Sequence, residues 1–274
     1  MRGQTSPAPI YEGGSGLIAA FLGGRDAAYR VALPEPGAPR RAILSSFTKA
    51  HAAGYHAQAL IDLAFRLAPR LPDLDAIADV TIETKSYTHT HIGSGSGDPE
   101  KMNPAASRET LDHSAMYVFA VALEDGAFHH DASYRPERAG RPETVRLWQK
   151  VRTVSDQGWT QRFVERRGID KDHGARVVVT LADGTTVTDE LAVPDAHPRG
   201  ARPFGTADFA AKFHVMTEGL VAADEAERFL ARAARLADLP AGGIGSLNVR
   251  GLAPGGTTAL PPGLFEAGLA PPRG

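Results

Sequence analysis

The sequence predicts an α+β fold, and three observations carry the prediction. Residues 176–181 and 185–191 are two β-branched runs joined through Asp183-Gly184, and Asp-Gly between such runs is the strongest short-range hairpin signal. Residues 55–67 and 107–123 repeat apolar side chains at helical spacing. Strands and helices do not alternate regularly as β-α-β units, and the last two segments are both helical.

Residues 1–16 hold no periodic pattern and read as extended chain and turn, an opening that suggests a module normally preceded by something. A short helix is expected at 17–22, an alternating strand at 29–33 and a short buried strand at 42–47. In the helix at 55–67, His56, Ala59, Leu60, Leu63, Ala64 and Leu67 fall on one face, and Pro69 and Pro72 close it. Residues 80–87 have strand composition, with Val80, Ile82 and Thr84 on one side. Residues 88–106 read as a polar loop in which His89 and His91 alternate along extended chain.

The helix at 107–123 carries an apolar stripe of Leu111, Ala115, Val118, Phe119 and Ala122, with Gly126 where a C-cap belongs. Another helix starts near Pro142, and 151–174 fit no single pattern. After the hairpin, Thr206 caps a helix reaching about residue 220, and a further Ala-, Arg- and Glu-rich helix covers about 222–237. From Pro240 onward Gly and Pro dominate, the composition of a disordered tail.

Composition bounds the function. Of 274 residues, 42% are hydrophobic and 23% charged, which suits a globular chain. The formal charge of -2 lacks the basic excess of a nucleic-acid binder. With no cysteine, the chain itself offers no disulfide, no thiolate metal site, no cysteine nucleophile and no cysteine-ligated iron–sulfur cluster. No apolar run approaches the ~18 residues of a membrane span, and the polar N-terminus has no signal core, so a cytoplasmic protein is expected. Phosphate-loop, G-x-S-x-G, H-E-x-x-H and dinucleotide motifs are absent.

Two polar clusters stand out. Lys49, His51, Tyr55 and His56 lie at a transition into a helix and suit either anion binding with proton transfer or a solvated helix start. Asp112, His113 and Tyr117 form the second. His113 and Tyr117 are four apart and so are expected to share one helix face a turn apart, while Asp112 pairs with His113 or serves as a charge in the N-terminal turn. His89 and His91 lack the carboxylate partner that a two-histidine metal site needs, and His129, His130 and Asp131 form a similarly weak set in a loop. In the stretch Asp195-Ala-His197-Pro-Arg-Gly-Ala-Arg202, Arg199 and Arg202 either meet an acidic substrate or only solvate a loop.

These clusters, in this order, resemble the C-terminal half of the MmgE/PrpD family. The resemblance is carried by Pro9-Ile-Tyr-Glu-Gly13, by Ser46-Phe-Thr-Lys49 through Gln58-Ala-Leu-Ile-Asp62, and by Asn103-Pro104. Its longest stretch runs from Ser107 through Leu111-Asp-His-Ser-Ala-Met-Tyr117 to Gly126, and Tyr134-Arg-Pro-Glu-Arg138, Asp183-Gly184, Ala192-Val-Pro-Asp-Ala-His197-Pro and Ala201-Arg-Pro-Phe204 follow. It spans about 7–249. It implies a small α+β C-terminal domain, with the hairpin and a mixed sheet packed on helices, followed by C-terminal helices that belong to an all-helical domain. The segmentation expected is 1–40 as connector and helical-domain remnant, 41–204 as the α+β domain, 205–239 as C-terminal helices and 240–274 as disordered tail. Nearly all of the large helical domain is then expected to be missing, along with half of an interdomain cleft. Phe209, Phe213, Leu220 and Phe229 are expected on an apolar surface that promotes self-association.

The activity implied is a hydro-lyase reaction of propionate catabolism: dehydration of 2-methylcitrate to 2-methyl-cis-aconitate, with no cofactor and no metal. The positions carried over are Lys49, facing a tricarboxylate substrate, with Tyr117, His113, His56 and Asp112 in the catalytic set. Gly54 departs from the family pattern, since relatives carry an acidic residue or histidine there. A related polycarboxylate lyase or isomerase, such as a cis-aconitate decarboxylase, is the alternative, as is a truncated binding or assembly module. The partners implied are the missing helical domain, or an equivalent subunit, and a second copy in a homo-oligomer, with no nucleic acid and no membrane.

Overall fold

The structure, a computed structural model, describes residues 35–38, 46–240 and 242–251. The helix expected at 17–22 and the strand at 29–33 lie outside these residues, as does the tail beyond 251. So does most of the strand expected at 42–47, whose Ser46 and Phe47 carry no regular structure. Residues 46–216 form one compact unit, and the described residues on either side, 35–38 and 217–251, belong to a second.

The first unit is built on a four-stranded sheet. Its strands are β1 (Ile77–Thr84), β2 (Val151–Ser155), β3 (Ala175–Leu181) and β4 (Thr186–Leu191), in the order β2-β1-β3-β4. β1 runs parallel to β2 and antiparallel to β3, and β3–β4 is the expected hairpin, in register from Ala175–Leu191 to Thr180–Thr186. Val80, Ile82 and Thr84 of β1 and Val177, Val179 and Leu181 of β3 are buried, while Arg176 and Glu83 pair on the wetter side. That alternation is the period-two signature of a sheet with one face on a core.

Two helices cover that core. A 3-10 turn, Tyr55–Ala57, leads into α1 (Gln58–Leu67), which packs against β3 and β4. Leu60, Ile61, Leu63 and Leu67 are each at most 1% exposed, and burying a side chain of this size contributes about 1.5–3 kcal/mol. Between β1 and β2 come α2 (Ser86–His91), α3 (Arg108–Leu111), α4 (Ala115–Asp125), α5 (Pro136–Ala139) and α6 (Pro142–Trp148). α4 packs on α1, α6 and β2 and is buried from Ala115 to Leu123. Gly126 caps it in the left-handed region, as expected. The segment 151–174 resolves into β2, α7 (Gln157–Val164) and a 3-10 turn, Gly168–Asp170.

Two expectations are corrected. The helix expected over 107–123 is broken at residues 112–114. The Ser114 hydroxyl donates to the Lys101 carbonyl at 2.7 Å and accepts from the Tyr117 N–H, while the Ala115 N–H donates to the Ile92 carbonyl at 2.7 Å. These partners start a new helix, because a capping serine competes with continued helical bonding. The strand expected to reach 87 ends at Thr84, and His89 and His91 sit on α2. Thr160 Oγ1 takes the Ser86 N–H, and His91 stacks on Tyr87 at 3.8 Å, the i,i+4 contact of a helix.

The unit ends with α8 (Thr206–Thr217), which exposes Phe209, Val215 and Met216. In the second unit, α9 (Ala223–Ala234) holds the 3-10 turn Gly243–Leu247 through Arg228. That guanidinium pairs with Glu225 and donates to the carbonyls of Ser246 and Asn248. Of the apolar residues expected at the surface, Phe209 and Leu220 are exposed, and Phe213 and Phe229 are half-buried. Among the described residues no helix is long and apolar enough to cross a membrane.

Candidate functional site

The stretch before α1 is shaped by side chains that follow it. Gln58 is fully buried: its amide donates to the carbonyls of His51 and Ala53, and its oxygen accepts the His51 N–H. Asp62, 4% exposed, takes His51 Nε2 on one oxygen and the Asp195 N–H on the other, both at 2.8 Å. The Tyr134 hydroxyl donates to the Ala52 carbonyl at 2.7 Å. His51 is thus a brace for this loop. Lys49 is exposed, and its backbone carbonyl accepts from Lys212 Nζ at 2.5 Å. Burial and the neighbouring Lys49 both hold the Lys212 amine below the usual lysine range.

Gly54 joins this loop to the second cluster. Its N–H donates to the Asp112 carbonyl at 3.4 Å, and a Cβ on it would stand 3.7 Å from that oxygen and 4.0 Å from His113 Cδ2. Asp112 lies beside His113, with Arg108 3.6 Å from its other oxygen. The hydrogen bond to Asp112, opposed by partial burial, raises the His113 pKa. His113 is largely exposed, its side chain at 59%.

Tyr117 is elsewhere. The break at 112–114 removes the one-turn spacing, and Tyr117 is wholly buried against Trp148 and Tyr134. Its hydroxyl donates to the Ser133 carbonyl at 2.5 Å, and burial pushes its pKa up to about 12. The expected pairing of Tyr117 with His113 on one helix face is therefore corrected, and the structure does not bring Tyr117 and the exposed Lys49 to one surface.

His56 belongs to a different group. Around it lie Tyr87 at 4.8 Å, His173 at 5.6 Å and Phe163 at 6.1 Å between ring centres. Phe47 and Tyr55 close the other side of His173 at 4.9 and 4.8 Å, and His197 stacks on Phe47 at 5.4 Å. The Lys85 ammonium lies 5.2 Å from the Phe163 ring. Tyr55 Oη, His56 Nδ1, Lys85 Nζ, both nitrogens of His173 and His197 Nε2 are buried without a hydrogen-bond partner. Each such atom costs on the order of 1–3 kcal/mol. Burial, then Lys85, pushes the His56 pKa down to about 3, and the same two causes, in that order, bring His173 to about 3. Burial brings Lys85 down to about 7, against a weaker upward pull from Asp172. Tyr55 is raised, chiefly by burial.

Sequence reasoning found His56 and noted Tyr55 and His197; it missed Lys85 and His173. Strand alternation sends residue 85 to the polar side, but α7 covers it there. His173 precedes Gly174, where a Cβ would stand 1.7 Å from the Leu191 carbonyl; only glycine lets the two strand ends approach so closely. Arg199 donates to the carbonyls of Ile169, Asp170 and Lys171 and to Asp172, bracing a loop. His129 likewise closes a turn through the N–H groups of Asp131 and Ala132.

Compared with known families, the chain matches the model described as the MmgE/PrpD C-terminal domain over residues 51–238. That match takes in every helix and strand of the first unit and all of α9.

Proposed function

The chain belongs to the MmgE/PrpD family, and on that premise we propose that it forms the C-terminal wall of a 2-methylcitrate dehydratase. Proteins of this family are generally dehydratases or lyases. The matched region is their C-terminal domain, so the reading gives this chain one side of the site and an all-helical domain the other.

One observation carries the reading: the segment that leads into His56 touches, at Gly54, the corner that carries Asp112 and His113. Burial keeps His56 unprotonated at neutral pH, and its Nδ1 has no hydrogen-bond partner. Asp112 makes His113 hold its proton more firmly. Environments that push two titrating groups apart are how acid and base roles are assigned. In this proposal His56 takes the proton from the carbon beside a carboxylate, and His113 gives its proton to the hydroxyl on the next carbon. That hydroxyl leaves as water and the C–H electron pair becomes the double bond. Both histidines then exchange protons with solvent. The exposed Lys49 anchors a carboxylate, and Lys212 donates to its backbone carbonyl. Tyr117 can join only if its hydroxyl leaves the Ser133 carbonyl.

The test is to incubate the chain, alone and with the helical domain of a family relative, with 2-methylcitrate. Mass spectrometry should find 2-methyl-cis-aconitate in the complemented reaction, and His56→Ala and His113→Ala should each lower turnover at least a hundredfold. Decarboxylation of cis-aconitate instead would move the reading to the neighbouring lyase. No reaction with either acid, despite assembly of the two parts, would end it.

A further inference from the structure

We propose that Lys85, His173 and Tyr55 form a binding site for one carboxylate of an organic polyacid. Buried polar atoms in folded proteins almost always find a partner. Here six lie together without one, on Tyr55, His56, Lys85, His173 and His197, and Lys85 and His173 are only 1 and 6% exposed. Aromatic contacts link the imidazoles and Tyr55 to one another, and Phe163 joins Lys85 to them. The unpaired groups are therefore one feature of the fold.

The charges around them select the ligand. The groups pressing on His56 are Lys85, His173, His91 and Lys49, and those pressing on His173 are Lys85, His197, Lys171 and Arg199, all cationic or cationic when protonated. Of the carboxylates that act on these groups, Asp172 is 2% exposed and is held by Arg166 at 2.8 Å and by Arg199 at 3.0 Å, and Asp62, which acts on Tyr55, is held by His51 and the Asp195 N–H. Most of the Asp172 charge is thus engaged, and Lys85 lacks a counter-ion. An anion supplies what every orphan donor needs, whereas a metal ion would meet an ammonium. Among the described residues no group of three or more His, Asp or Glu is arranged to hold a metal. Phe47 and Phe163 flank the donors, and such walls suit the carbon skeleton of an organic acid better than a bare inorganic anion. The cluster reaches the surface at Tyr87, 45% exposed, and at the half-buried His56. The identity of the acid rests on the lyase reading above; the existence of the site does not.

The experiment uses the full 274-residue chain with citrate as probe at neutral pH, inorganic phosphate in parallel, and thermal denaturation and calorimetry as readouts. Citrate should raise the melting temperature saturably, as a ligand of the folded state must, and shift the His173 ring resonances. Lys85→Met should weaken citrate binding at least tenfold while melting no lower than the parent without ligand, because an unpaired buried cation is gone. His173→Phe should also weaken it, and serves if the first variant does not fold. Citrate affinity unchanged in either folded variant, or His173 resonances unmoved at saturation, would overturn the site; phosphate binding there in preference to citrate would overturn the carboxylate assignment. The two readings fail separately. Citrate held at Lys85 by a protein that never dehydrates 2-methylcitrate leaves the site and removes the lyase. Turnover at unchanged KM in Lys85→Met leaves the lyase and removes the site.

Discussion

The Gly54 N–H donates to the Asp112 carbonyl across 3.4 Å, tying the loop before α1 to the corner between α3 and α4. Gly54 has φ -52° and ψ 148°, a conformation open to any residue, and its missing Cβ would meet only ordinary van der Waals neighbours. The glycine is therefore no steric necessity. Gly54→Glu should fold with a stability change within about 1 kcal/mol, in the range of surface substitutions, and should raise the His113 pKa further by NMR titration. A loss above ~2 kcal/mol would show strain that this geometry does not contain.

Tyr117→Phe separates structure from chemistry. The change strands the Ser133 carbonyl in the core, so urea denaturation should show a loss of about 1–3 kcal/mol. In the complemented reaction proposed above, a fall in kcat larger than the fall in folded protein would keep Tyr117 in the catalytic set. Unchanged turnover per folded molecule would leave it as packing alone.

Acid should destabilise the first unit earlier than carboxylate titration alone predicts. Both His56 and His173 have folded pKa values near 3, below the ~6.5 of an unfolded histidine. Between those values the unfolded chain binds protons that the folded chain refuses, so stability falls as pH drops through that window. Each group adds a slope of about 1.4 kcal/mol per pH unit. His173→Phe should lower the slope between pH 4 and 6 by about one proton in denaturation series. An unchanged slope would mean that His173 protonates freely when folded.

Asp62 holds two segments at once, through His51 and through the Asp195 N–H. Asp62→Ala leaves both donors without their partner and should cost about 2–4 kcal/mol. Hydrogen exchange should accelerate at the Asp195 amide, with little change in the β3–β4 hairpin. Unaltered protection at Asp195 would show that the loop carrying His197 is held by other means.

The helices at 58–67 and 206–217, the hairpin and the Gly126 cap were legible in the chain itself, because periodicity, Asp-Gly turns and capping glycines are local properties. So was the family, since its motifs are contiguous stretches. Tertiary structure alone decided the break at 112–114, because the groups that satisfy Ser114 and Ala115 come from Lys101 and Ile92. It also decided which polar residues meet. Lys85 is buried by α7, His173 is drawn in where Gly174 lets two strand ends touch, and Tyr117 lies in the core rather than on a face shared with His113. Residue pattern determines which backbone segments form; burial and unpaired donors arise only where segments distant in the chain close over one another.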